Sequence, residues 1–292
     1  FVDSSPQAKA GTEVLAKAGI QFETRDPQPE DSPSVIVIGT SSRAVQAKII
    51  WTLFGKAQGV PVIWVEDLWG TGEWMQTRSV SPDVMCTLDE IAKKIVLIVR
   101  PDIRVEVVGK HTFGSLAKYI PAANEFVNLM RKFICERAGS EEKEAVIVTY
   151  SSGGNPERVR IQLEALQGLD ALIDRKVNFI PRLHPTLLSG DEFKKLARSG
   201  NNLVVNAYDL NLDELFISSS LIIGEWGTTG MYTSALFGVP GIMCLFPDDT
   251  VSRSALYPDG IPPFLIAGAG WGAENPSQLR ERIQWILSHK EE

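Results

Sequence analysis

Leu221-Ile-Ile-Gly-Glu-Trp-Gly-Thr-Thr-Gly-Met-Tyr-Thr-Ser-Ala-Leu-Phe-Gly-Val-Pro240 is the stretch whose reading decides the fold class. Its apolar opening, Leu221 to Ile223, has the character of a buried strand and delivers a Gly/Thr-rich turn. A helical segment comes next, closes with Gly238 and Pro240, and hands over to a second apolar run, Ile242 to Leu245. The pattern is strand, turn, helix, strand. Free backbone N–H groups, two small hydroxyls and a helix N-terminus at such a turn can hold a phosphate without a cationic side chain, which makes Gly227, Thr228, Thr229 and Gly230 candidate phosphate-binding residues. An ordinary tight turn uses the same small residues, so both readings stand at this point.

Working outward, the same alternation fills the chain. Before the turn come strands at Ala145 to Thr149, Asn178 to Arg182 and Leu203 to Asn206, with helices at Glu157 to Leu169 and Asp191 to Arg198; a last helix, Gln278 to Leu287, comes after it. In the first half, Val35 to Gly39 and Pro61 to Glu66 are unbroken apolar runs, as parallel strands covered on both faces require. Between them Ser42 to Lys56 is apolar nearly all round and is expected to be a buried helix. Val84 to Cys86 and Arg104 to Val108 flank a helical start at Leu88. Phe126, Leu129, Met130, Phe133 and Ile134 fall at helical spacing, and the polar run Ala138 to Glu144 behind them reads as a solvated link. This predicts an α/β chain of two Rossmann-like βαβ domains facing a central cleft, residues 1–120 and 121–292, joined near 114–144.

Composition narrows the function. The 292 residues are 44% hydrophobic, enough for sizeable cores, and carry a formal net charge of −7 with no long basic block, which disfavours nucleic acid as a partner. Any anionic ligand has to be held locally. Cys86, Cys135 and Cys244 lie far apart in apolar surroundings with no C-x-x-C spacing, so neither a disulfide framework nor a metal site is indicated and a reducing, cytoplasmic setting is expected. No apolar run approaches the ~20 residues of a membrane span. Because the chain begins Phe1-Val-Asp3, an upstream segment is expected to be missing. Oligomeric state is left open.

Four further features carry chemistry. Glu66 and Asp67 sit at the end of a strand, where a carboxylate can act as general base or can merely cap a turn. In Arg182-Leu-His-Pro185, Arg182 and His184 follow a strand closely enough to meet phosphate oxygens together, although a structural histidine satisfying a loop carbonyl fits too. Tyr150-Ser-Ser-Gly-Gly-Asn-Pro-Glu157 is a second glycine-bearing strand-to-helix turn, in which Gly153 and Gly154 permit close approach to a phosphate and Asn155 or Ser152 can cap the helix. Its spacing matches neither a P-loop nor a dinucleotide fingerprint. His111, in a Gly-Lys-His turn, and Thr40 and Ser41, after the first strand, are candidate acceptor-side residues.

Val60-Pro-Val-Ile-Trp-Val-Glu-Asp-Leu-Trp-Gly-Thr-Gly72, Leu88 to Lys94 and Val107 to His111 resemble the N-terminal domain of non-hydrolysing UDP-N-acetylglucosamine 2-epimerases and their GT-B relatives. Arg182 to Pro185, Asp209 to Leu215 and Gly227 to Pro240 are similar to motifs shared by those epimerases and by glycerophosphate and capsule-polymer transferases. Nearly the whole chain is covered, in the right order. The resemblance implies a metal-independent GT-B glycosyltransferase with a nucleotide-activated sugar or polyol as donor substrate, no cofactor and an unidentified acceptor. A sugar-nucleotide 2-epimerase and a non-catalytic module binding a nucleotide or glycan are the alternatives. It places a catalytic carboxylate at Glu66, with Asp67 beside it, and donor phosphates near Arg182 and His184. It also exposes departures. The epimerases carry an Asp where this chain has Thr40, a His where it has Tyr150-Ser151-Ser152, and a ribose-binding Glu where it has Thr233. Epimerisation needs paired acids and bases, so these losses argue for transfer instead.

Overall fold

The computed structural model describes residues 16, 19, 25–40, 45–67, 69, 79–110, 123–141, 145–184, 187, 195, 203–228, 230–247, 253, 254, 257 and 259–289. The chain forms two compact units, Phe1–His111 with Val251–Gly260, and Thr112–Thr250 with Ile261–Glu292. Each contains a wholly parallel sheet, as the alternation of strands and helices predicts.

In the first unit β1 (Ile36–Gly39), β2 (Val62–Val65), β3 (Val84–Thr87) and β4 (Arg104–Val107) lie side by side in chain order. Helices α1 (Val45–Gln58) and α2 (Glu90–Val99) join them. Trp64 of β2 anchors the core: fully buried, it gives its indole N–H to Thr52 Oγ1 at 3.0 Å, while Lys48 Nζ and the Arg100 guanidinium lie 5.0 and 5.4 Å from its ring centre. This corrects the reading of α1 as a helix buried all round. Lys48 and Thr52 turn inward to serve Trp64, and Leu53 on the other side is 54% exposed. Coverage of β1 on both faces is corrected likewise, since Val37 is 61% exposed.

The second unit is built on β5 (Val146–Ser151), β6 (Val177–Arg182), β7 (Leu203–Val204), β8 (Leu221–Glu225), β9 (Gly241–Cys244) and β10 (Trp271–Ala273). Spatial order is β10-β9-β8-β5-β6-β7, the doubly wound arrangement whose direction of progression reverses between β5 and β8. Helices α4 (Pro156–Ala165), α5 (Leu169–Ile173) and α9 (Pro276–Ser288) belong to one layer; α3 (Ala123–Ala138), α6 (Leu212–Ser218), α7 (Gly230–Leu236) and α8 (Pro263–Ile266) belong to the other. Alternate strand residues feed the two cores: Val146, Val148, Leu221 and Ile223 join the first, and Ile147 and Ile222 join clusters on the opposite face. Unbroken apolar strands therefore have both faces covered.

Two details differ from the sequence reading. The stretch expected as one helix to Leu169 is α4 and then α5, with Gly168 between them at φ 67°. On α3, Ile134 and Cys135 are buried but Leu129 and Phe133 are 66% and 38% exposed, because Arg131 donates to Ser218 O and Ser220 Oγ and turns the adjacent stripe inward. Of the helix expected at Asp191 to Arg198, Lys195 alone is among the described residues, and it is helical.

Across the first core runs a buried polar link. Tyr150 on β5 gives its hydroxyl to Gln162 Oε1 on α4 at 2.7 Å, and Gln162 Nε2 donates to Phe246 O beyond β9 at 2.7 Å; Tyr150 and Gln162 are fully buried. Tyr150→Phe leaves the Gln162 oxygen without its donor, and chemical denaturation should show a loss of about 1–3 kcal/mol. A change indistinguishable from zero would mean that the link contributes nothing.

Candidate functional site

In an open α/β sheet of doubly wound order, ligands bind beyond the carboxyl ends of the strands where the order reverses. That point lies between β5 and β8 here. β5 delivers Ser152 and Gly153, β6 delivers Leu183 and His184, and β8 ends on Glu225 before Trp226, Gly227 and Thr228. Both glycine-bearing turns singled out from the sequence therefore belong to adjacent strands at one sheet end.

What joins them is Glu225. Its carboxylate, 3% exposed as a residue, accepts the Gly153 N–H at 2.9 Å through Oε2 and the Arg158 guanidinium at 3.0 Å through Oε1. Arg158, in the first turn of α4, also lies 5.1 Å over the Trp226 ring. A Cβ on residue 153 would stand 2.5 Å from Glu225 Oε2, so a side chain there would displace the carboxylate from its present position. Burial pushes the Glu225 pKa up, and Arg158 and the Gly153 amide oppose that rise.

Among the other predicted residues, Ser152 donates its N–H to Arg182 O at 3.0 Å and accepts the His184 N–H on Oγ at 2.8 Å, which brings His184 to the switch point through its backbone. Asn155 is the cap of α4, accepting from the amides of Glu157 and Arg158; Gly154 beside it is exposed. Thr228 closes its turn by giving its hydroxyl to Glu225 O at 2.9 Å, and Gly227 holds φ 85° there. Gly230 opens α7 with Phe216 packed where a side chain would begin, and Thr233 is buried one turn on. Arg182 is half-buried, donating to Ala207 O at 2.7 Å with its guanidinium 5.1 Å over the Tyr208 ring; burial lowers its pKa. Thr229, Ser41 and His111 lie outside the described residues.

A second group belongs to the first unit. Glu66, 3% exposed, follows β2 directly, and the next residue, Asp67, donates its N–H to the buried Thr40 hydroxyl at 3.2 Å. Lys110, beyond β4, gives its ammonium to Asp67 O at 2.9 Å. Burial lowers the Lys110 pKa while the charges of Asp67 and Glu66 hold it up; burial raises that of Tyr257, and the charge of Glu66 adds to the rise. Thr40, Glu66, Asp67, Lys110 and Tyr257 thus form one electrostatic neighbourhood. No group of His, Cys, Asp and Glu side chains among the described residues has the arrangement of a metal site.

Several participants escape a reading of the sequence. Arg158 and Trp226 carry no motif, and Tyr257 is distant from β2 in sequence. Lys110 stands inside Val107 to His111, where the imidazole is the more obvious acid–base group. A carboxylate one residue beyond the apolar run Leu221 to Ile223, after Gly224, was the available signal for Glu225.

No protein-family model and no curated protein sequence matches the chain. Solved structures do match. A putative UDP-N-acetylglucosamine 2-epimerase from Listeria monocytogenes is similar at TM-score 0.63 and 14% identity, over 99% of this chain and 70% of that one. UDP-GlcNAc 2-epimerase from Neisseria meningitidis, bound to UDP-GlcNAc, matches at 0.57 and 12%, over 98% and 82%. A glycosyltransferase from Rickettsia africae matches at 0.55 and 13%, over 96% and 78%. The chain has the GT-B fold. At these identities the likeness speaks for this GT-B architecture, two Rossmann-like domains in one chain, and not for a reaction.

Breaking the Glu225 link has a signed pH consequence. Glu225→Ala removes the carboxylate that Arg158 and Gly153 both bond and should cost about 3–5 kcal/mol, as loss of one buried ionic partner does, with Glu225→Gln costing less because an acceptor for Gly153 remains. A folded-state pKa raised above the unfolded one means that the native protein binds the proton more tightly, so stability falls as pH rises through that pKa. Denaturation across pH should therefore show the wild type gaining on Glu225→Gln as pH falls from neutrality. A gap that shrinks instead contradicts the raised pKa.

Proposed function

We propose that this GT-B protein transfers a sugar or polyol from a nucleotide-activated donor held by the second unit to an acceptor deprotonated by the first. The observation that carries the reading is the meeting of the Gly153, His184 and Gly227 turns at the switch point of the second sheet. Sugar-nucleotide names among the structural neighbours support the same class of donor.

In the proposed step the bond between the donor carbon and the diphosphate oxygen breaks as the acceptor oxygen forms its bond to that carbon. Glu66 takes the acceptor proton, with Asp67 next to it. Backbone amides of Gly227, Gly230 and Gly154, the Thr229 hydroxyl and His184 receive the departing diphosphate, the Thr228 hydroxyl joins them by giving up its bond to Glu225 O, and Arg182 adds fixed positive charge. Thr233 and Thr40 line the donor and acceptor sides. Such a step needs no cofactor, and preorganised dipoles handle the leaving charge that a metal handles elsewhere. The free thiols Cys86, Cys135 and Cys244 fit a cytoplasmic setting, and no helix of the described residues is long and apolar enough to cross a membrane.

Epimerisation is disfavoured on a specific observation. At Tyr150, near the place where the epimerases carry a histidine, the hydroxyl is buried against Gln162 and its pKa is pushed well up by burial, so it offers no acid or base at neutral pH. One observation favours the non-catalytic alternative: the Gly153 amide, a natural phosphate donor, is already taken by Glu225.

A thermal-shift screen over UDP, CDP, GDP, TDP and CMP tests the reading, since a ligand specific to the folded state raises Tm by mass action. One nucleoside diphosphate should stand out. With the corresponding sugar donor, Glu66→Gln should keep donor affinity and lose turnover about 10²- to 10⁴-fold, whereas His184→Ala should weaken donor binding itself. No stabilisation by any nucleotide removes the donor site; nucleotide binding without transfer or hydrolysis leaves the binding module.

A further inference from the structure

Helix α9 has two faces of different character. Leu279, Ile283, Ile286 and Leu287 fill the core. Gln278, Glu281, Arg282 and Trp285 form a second stripe at helical spacing, and with Trp271 they line a groove of about 580 Å³ beside the edge strand β10. That volume lies within the ~300–1,000 Å³ of small-molecule sites.

Trp285 is 52% exposed, so the core does not account for it. It is nonetheless held: its ring meets that of Trp271 at 5.9 Å and 61°, the His289 imidazole stacks on it at 5.4 Å, and His289 Nδ1 lies 2.9 Å from Trp285 O. Arg282 is equally unaccounted for. Its Nε is buried without a hydrogen-bond partner, whereas Arg280 nearby spends its guanidinium on Ala165 O and Gln167 O. Gln278 uses Oε1 for the Glu274 N–H, and Glu281 accepts from Ser277.

We propose that this groove is an accessory site for a neutral oligosaccharide, separate from the switch-point site and independent of the transferase reading. A pyranose ring has a face of C–H bonds that packs on an indole and a rim of hydroxyls that both donate and accept. The groove supplies rigid indoles beside guanidinium and amide donors and a carboxylate acceptor, a mixed lining that matches hydroxyls, whereas the Glu281 carboxylate would repel a phosphate. Trp271 opens β10 at its amino end and Trp285 lies in the last turn of α9, so the aromatic end of the groove is away from the carboxyl ends of the strands.

Titration of the full chain with maltotriose, cellotriose and N,N′,N″-triacetylchitotriose, monitored by tryptophan fluorescence and calorimetry, tests this. One of the three should saturate the wild type. Trp285→Ala and Arg282→Ala should each raise its Kd about tenfold or more with Tm unchanged, and the nucleotide that gives the largest thermal shift should not compete. The proposal is overturned if none of the three binds, if both variants bind as the wild type does, or if sedimentation shows that the groove is covered by a second copy of the chain.

Discussion

A carboxylate buried at the reversal point of a parallel sheet is the constraint around which the second unit is arranged. Glu225 ends β8, yet both its oxygens are engaged by the neighbouring β5–α4 connection, one by the Gly153 amide and one by Arg158. A charge taken out of water needs such partners, since its desolvation cost is several kcal/mol. Those partners are supplied in this arrangement because the turn after β5 approaches without a side chain, at Gly153, and because α4 starts where Asn155 caps it, which aims Arg158. The geometry of one loop is therefore set by a residue of the other.

That arrangement shapes the candidate chemistry. A glycine turn at a switch point is normally open to an anion, and here the protein's own anion already occupies one amide of it. In the second turn the Thr228 amide and hydroxyl both donate to Glu225 O, which leaves Gly227 and Gly230, the latter packed tightly on Phe216. In the first unit the pattern is different. Glu66 is buried, and its charge acts on groups distant in sequence, holding the Lys110 pKa up against burial and adding to the rise of the Tyr257 pKa.

Much of the fold was legible because parallel strands covered on both faces leave unbroken apolar runs, as Leu221 to Ile223 and Val146 to Val148 do, and because glycine and proline mark the turns between elements. Orientation was harder. The apolar stretch around Leu53 reads as uniformly buried, and only the demand of Trp64 for Thr52, Lys48 and Arg100 shows why polar residues turn inward there. Leu129 and Phe133 misled in the same way, since Arg131 rotates α3. At the site, glycines, His184 and Glu66 were visible as residue types at strand ends. The Glu225–Gly153–Arg158 bond was not, because it joins residues about 70 positions apart and depends on strand order, which periodicity does not encode.

The β5–β8 switch point is the proposed place of the donor diphosphate. A crystal structure of the chain with the nucleoside diphosphate that stabilises it most tests this directly. Phosphate oxygens are expected within hydrogen-bond distance of the Gly227 and Gly230 amides and near His184. A diphosphate bound elsewhere, with the Gly153 and Gly227 turns unliganded, would contradict it.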